Sequence, residues 1–227
     1  MKWQTTLIFA SIGSTIGSTI GSPVLVPVPV PVDVYTLRLS SKAQSLNGQY
    51  LSVRNGNNET VVGVFPNAAV PVPALQVYAV ANRDTGGIEL HRYYLTPPGD
   101  DVDHALALVG SPQAQGLMTF SDVKDPATAA GALPQGTTCD WTSFVIAEAP
   151  DNNSEGSKQP CLGYAAGNGR WVAFPSGNND DDGDEEWSVM WKESSAITIQ
   201  NYMTVDILFE PVYNKAQATT TTTTGNA

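Results

Sequence analysis

An all-β fold is predicted for this chain, a single compact domain of about thirteen short antiparallel strands, and three observations predict it. Apolar residues recur with a period of two: Tyr35, Leu37 and Leu39 alternate with Thr36 and Arg38, and Leu75, Val77 and Ala79 alternate with Gln76 and Tyr78. That spacing puts one set on the buried face of an extended chain. Turn-forming residues separate the runs, at Asn55-Gly56, Thr85-Gly-Gly87, Pro97-Pro-Gly99 and Gly167-Asn-Gly169, as hairpin chemistry requires. No segment carries a long stripe of helical period.

The elements follow in chain order. Residues 1–21 read as a signal peptide, with a positive start at Met1-Lys2, an apolar stretch from Leu7 to Ala10, and a repeated Ile-Gly-Ser-Thr unit that offers small-x-small sites. Cleavage is expected near Gly21. Residues 22–32 form a Pro/Val-rich spacer in which Pro27, Pro29 and Pro31 bias the backbone to polyproline II. The β domain spans 33–213. Besides the two alternating runs above, its strand candidates are Gln49–Arg54, Thr60–Phe65, Ile88–Tyr94, His104–Val109, Leu117–Phe120, Trp141–Ala147, Cys161–Tyr164, Arg170–Phe174, Trp187–Trp191, Ala196–Gln200 and Thr204–Phe209. Residues 214–227 form a Thr-rich tail with no apolar content to fold around, expected to be disordered and open to O-glycosylation. Sequons at Asn58-Glu-Thr60 and Asn152-Asn-Ser154 make Asn58 and Asn152 the expected N-glycosylation sites.

Strands of this number and length fit a β-trefoil or a β-sandwich. An internal echo favours the trefoil. Tyr50-Leu-Ser-Val53, an Asn-Gly turn, Val64-Phe-Pro66 and Leu75-Gln-Val77 parallel Cys161-Leu-Gly-Tyr164, an Asn-Gly turn, Ala173-Phe-Pro175 and Trp187-Ser-Val189.

The formal charge is −11. Lys2 is the only charged residue before Asp33, so removal of the leader leaves ten basic against 22 acidic residues, a net of −12. Such a field repels phosphate backbones and anionic lipid, so neither nucleic acid nor membrane is an expected partner. Two cysteines in an exported chain predict one bridge, Cys139–Cys161. It closes a loop of about 23 residues and contributes roughly 3 kcal/mol in the chain-entropy treatment.

The pieces Leu46-Asn-Gly-Gln-Tyr-Leu51, Cys161-Leu-Gly-Tyr-Ala-Ala-Gly-Asn-Gly-Arg-Trp-Val172 and Thr204-Val-Asp-Ile-Leu208 resemble an uncharacterised family of small secreted proteins of filamentous ascomycete fungi. The resemblance spans most of 33–213. It implies a fungal origin and an extracellular or cell-wall setting, and it carries over no catalytic residue.

Candidate chemistry is sparse. The only histidines are His91 and His104, and neither stands in a nucleophile–base motif. His104 follows Asp100, Asp101 and Asp103, a run that reads as a solvated loop rather than a metal site. Ser111 is followed by Pro112 and is not framed as a nucleophile elbow. Glu148, Glu193 and Glu210 read as surface charges rather than a glycosidase pair. In the stretch from Asn178 to Glu186, the residues Asn178, Asp180 and Asp182 with Gly183 match the first half of an EF-hand loop. The twelfth position is Val189 where a bidentate Glu belongs, so the spacing permits only a weak calcium site. Trp187, Val189 and Trp191 share one face of a strand, either as a core stripe or as a platform on which Trp187 and Trp191 stack sugar rings. No catalytic residue and no other cofactor is assigned.

The expected function is a non-catalytic, secreted binding module for a glycan, a cell-wall polymer or a host extracellular protein. The alternatives are a secreted hydrolase with paired carboxylates and a trefoil-type inhibitor of extracellular enzymes.

Overall fold

The computed structural model describes residues 33–55, 60–66, 71–94, 102–133, 135–148, 159–176 and 186–212. Their strands are β1 (Val34–Ser41), β2 (Ser52–Asn55), β3 (Thr60–Val64), β4 (Gln76–Ala81), β5 (Ile88–Arg92), β6 (His104–Gly110), β7 (Leu117–Lys124), β8 (Thr138–Asp140), β9 (Phe144–Glu148), β10 (Pro160–Tyr164), β11 (Gly169–Pro175), β12 (Trp187–Glu193) and β13 (Met203–Pro211). Every pairing is antiparallel. The all-β expectation therefore holds, and the sheet closes on itself. A ring of nine strands runs β1-β4-β5-β6-β7-β3-β12-β11-β13 and is sealed by the β1–β13 pair. A second ring of six, β1-β4-β5-β9-β10-β13, shares β1, β4, β5 and β13 with it and is sealed by the same pair. The hairpins β2–β3, β6–β7 and β11–β12 meet one another through β3–β7, β3–β12 and β7–β12 contacts.

The period-two pattern explains which side chains fill the ring. On β1, Leu37 and Leu39 are fully buried while Arg38 is not, and on β12 the residues Trp187, Val189 and Trp191 point inward. β11 buries four consecutive residues, Trp171 to Phe174, because both of its faces are covered. An aromatic cluster drawn from four strands occupies the centre: Trp171 lies 5.0 Å from Phe120, 6.5 Å from Phe144 and 5.4 Å from Trp191 between ring centroids. The buried indole N–H of Trp171 donates to the carbonyl of Leu162 at 2.7 Å, which satisfies the one polar atom that this ring carries inward.

Four expectations are corrected. Cys139 and Cys161 form no disulfide. Cys139 sits on β8, which pairs only with β6 among the described strands, whereas Cys161 sits on β10 between β9 and β13. An even cysteine count in an exported chain suggested the bridge, and the strand order keeps the two apart. Ala196–Gln200 is not a strand; its alternation is that of an extended loop, with Ala196 buried and Ile197 and Ile199 outside. The internal echo is not a structural repeat, because it aligns β2, β3 and β4 with β10, β11 and β12. β4 belongs to the ring of six and β12 to a hairpin, so the echoed segments hold non-equivalent places. Finally, Trp187 and Trp191 are each 5% exposed and belong to the core. A stacking platform needs open ring faces, and these rings are packed.

One short α-helix, α1 (Pro126–Ala132), and a 3-10 turn at Pro112–Ala114 interrupt the strands among the described residues. Pro126 at its first position needs no N–H partner, and Asp125 caps it by accepting from the Thr128 N–H at 3.4 Å.

Candidate ligand-binding site

Both histidines of the chain come together at the β5–β6–β7 region, each against a carboxylate more than ten positions away. His91 faces Ala105 across β5–β6, and Leu106 faces Asp122 across β6–β7. These registers bring Arg92, His104 and Asp122 into one cluster. The Asp122 side chain is 1% exposed and accepts from the Arg92 guanidinium at 2.5 Å, with His104 Nδ1 at 3.2 Å. A buried carboxylate of this kind is tolerated because it is paired. Asp103 and His104 are adjacent, yet they serve different partners: Asp103 reaches His91 Nδ1 at 2.9 Å, and Glu89 lies 3.0 Å from His91 Nε2. Tyr78 stacks on the His91 ring at 5.3 Å. Burial, and secondly the negative charge of Asp103, push its hydroxyl above the ordinary tyrosine value.

A cleft of about 270 Å³ opens beside this cluster. Val53, the segment 72–76, Arg92, Tyr93 and Tyr94 line it. Backbone bonds fix the lining segments: Leu75 N–H donates to Leu51 O at 2.7 Å and Tyr93 N–H to Gln76 O at 2.8 Å. The Arg92 guanidinium lies over the Tyr94 ring at 4.7 Å, and that ring meets His104 edge-on at 5.9 Å. The cleft is thus backed by the buried ion pair. Its volume falls just below the usual span of small-molecule sites, roughly 300–1,000 Å³, so it has room for one ring-sized group.

The structure places the remaining candidates as follows. Asn58, Asn152, Asn178, Asp180, Asp182, Asp100 and Asp101 lie outside the described residues, as do the leader, the spacer and the tail. Glu193 accepts from the Asn168 N–H at 3.0 Å and the Trp191 indole N–H at 2.9 Å, and so holds a turn against β12. Glu210 accepts from the Tyr50 hydroxyl at 2.8 Å. Ser111 Oγ donates to Gln113 at 3.0 Å. Among the described residues no group of three or more His, Cys, Asp or Glu is arranged to hold a metal ion, and no helix is long and apolar enough to cross a membrane. Sequence reasoning missed Arg92 and Asp122. Two histidines within fourteen residues were the available signal, and only the strand register reveals their partners.

Comparison with family models, with curated proteins and with solved structures gives no match.

Proposed function

We propose that this chain is a non-catalytic extracellular binding module of β-trefoil type and that the cleft beside Arg92 takes a glycan ring. The lining of that cleft carries the reading. Tyr93 and Tyr94 line it together with apolar Val53, Val72 and Leu75, which suits the C–H faces of a sugar, and Gln76 and Arg92 supply polar groups. The charge of Arg92 is already balanced by Asp122. It therefore suits a neutral, hydroxyl-bearing ligand better than an anionic one, because its remaining N–H groups still donate.

The trefoil part is supported by topology. Each of the segments β1–β4, β5–β9 and β10–β13 gives two strands to the ring of six and one hairpin to the group of three, with β8 as an addition to the second segment. The extracellular part is supported by the leader at 1–21 and the two sequons.

The test is a glycan array followed by calorimetry on secreted protein, with Tyr93→Ala to strip part of the lining and Ala74→Trp to fill the cleft. At least a tenfold loss of affinity in both variants, with unchanged thermal midpoints, is expected. Absence of glycan binding, or binding indifferent to both variants, refutes the reading. Release of new reducing ends from a bound polysaccharide would replace it with the hydrolase.

A further inference from the structure

Four arginines stand on strands among the described residues, and three of them meet a carboxylate: Arg38 meets Glu210, Arg54 meets Glu186 and Arg92 meets Asp122. The fourth does not. Arg170 on β11 is exposed and makes no hydrogen bond or ion pair among the described residues, and the register sets it directly opposite Lys192 on β12. Residues opposed in an antiparallel pair project from the same face, and like charges so placed repel. In a chain with 22 acidic and 11 basic residues, two adjoining cations without a carboxylate leave one face of this hairpin with an unbalanced positive charge.

Lys192 is anchored without being neutralised. Its ammonium donates to the carbonyls of Ala196 and, at 3.4 Å, of Glu193, so two of its three N–H groups meet neutral acceptors and one remains. The carboxylate next to it in sequence, Glu193, is engaged elsewhere, by the Asn168 N–H and the Trp191 indole. The Lys192 nitrogen also lies 5.8 Å from the centre of the Tyr202 ring, which packs on Phe174 and stays 37% exposed. A free guanidinium, a fixed ammonium and part of an aromatic ring are thereby gathered on one face.

We propose that Arg170, Lys192 and Tyr202 form a second binding site, independent of the cleft beside Arg92, and that it takes an acidic sugar. The guanidinium fork and the remaining ammonium N–H receive the anionic group, a carboxylate or a sulfate ester, through charge-assisted hydrogen bonds. The aromatic ring decides between a sugar and an acidic peptide. Glutamate and aspartate carry the carboxylate on a flexible methylene stem, whereas an acidic sugar carries its anion on a ring whose C–H face covers the tyrosine. The negative charge of the whole chain does not prevent this, because distant carboxylates are screened beyond about 8 Å at physiological ionic strength while the two cations touch the anion.

The experiment titrates the full secreted chain by calorimetry with trigalacturonate, its carboxyl-reduced neutral counterpart, a sulfated trisaccharide and triglutamate. Binding of trigalacturonate or of the sulfated sugar is expected, the tighter of the two identifying the anionic group, and it weakens as salt is raised. Arg170→Gln and Lys192→Met each lower that affinity at least tenfold, and Arg170→Lys, which keeps the charge, lowers it less. Tyr93→Ala in the cleft and Arg83→Gln, which alters an exposed arginine on the β4–β5 turn, leave it unchanged. Matching thermal midpoints establish that the variants remain folded. Failure of both acidic sugars to bind overturns the proposal. So does equal binding of the neutral counterpart, triglutamate binding as tight as that of the acidic sugars, or a loss in Arg83→Gln that matches the loss in Arg170→Gln.

Discussion

Replacing Asp122 by alanine removes the acceptor that Arg92 and His104 share. The carboxylate is almost wholly buried, and its partners retain only 27% and 20% side-chain exposure. Breaking a fully buried ion pair costs about 3–5 kcal/mol, because the surviving charge keeps its desolvation and loses its compensation. Arg92 still reaches water in part, so the low end applies, about 3 kcal/mol. For a body of this size that lowers the thermal midpoint by roughly 6–12 °C. Urea unfolding followed by circular dichroism measures it, and an unchanged denaturant slope identifies the effect as one on stability. A second variant, Arg92→Met with Asp122→Leu, removes both charges and restores stability to within about 1 kcal/mol of the parent. A loss below about 1 kcal/mol for Asp122→Ala, or a double variant as unstable as the single, would refute the view that a desolvated pair supports the cleft.

The two thiols are predicted to be free: without reductant, guanidinium-unfolded protein titrates two thiols per chain with Ellman's reagent, and none would refute it. In the native state both react slowly, since burial, then the charges of Asp140 for Cys139 and Asp206 for Cys161, push each thiol up and keep it protonated. Trp171→Phe strands the Leu162 carbonyl and leaves a void, and is expected to cost about 3 kcal/mol in urea unfolding. Burial raises the Asp206 carboxyl above its ordinary value, so ionising it opposes folding at neutral pH. That penalty disappears as pH falls through the raised value toward the ordinary one. Asp206→Asn should therefore raise the urea midpoint at neutral pH and leave it unchanged near about pH 3, where both states are largely protonated; an equal effect at both would refute the assignment.

Strand content was legible because alternation and turn chemistry are local. β8 escaped notice because Thr138–Asp140 is only three residues long, too short for a period to register. Ala196–Gln200 misled for the opposite reason: its β-branched alternation encodes an extended backbone, and nothing local says whether a ladder partner exists. The cleft and its ion pair were not legible at all. Arg92 meets Asp122 across a sequence separation of thirty, and the contact depends on the β5–β6 and β6–β7 registers. The charge run before His104 concealed a similar relation, since Asp103 turns to His91 and not to its neighbour. Counting cysteines failed likewise, because spacing along the chain carries no information on which strands adjoin.

The pairing of β1 with β13 over seven positions, Tyr35 with Pro211 through Ser41 with Val205, constrains how the chain acquires its structure during synthesis. The first strand leaves the ribosome long before its permanent neighbour exists. Until Met203–Pro211 emerges, the growing sheet keeps open the edges that β13 later covers on β1, β10 and β11, and open edges are where chains pair wrongly. Pairs so distant in sequence also make for slow folding. Sealing is thus a late event that depends on the final strand, so a chain stalled or cut before residue 203 holds nearly all of its hydrophobic core residues and none of the closure that protects them.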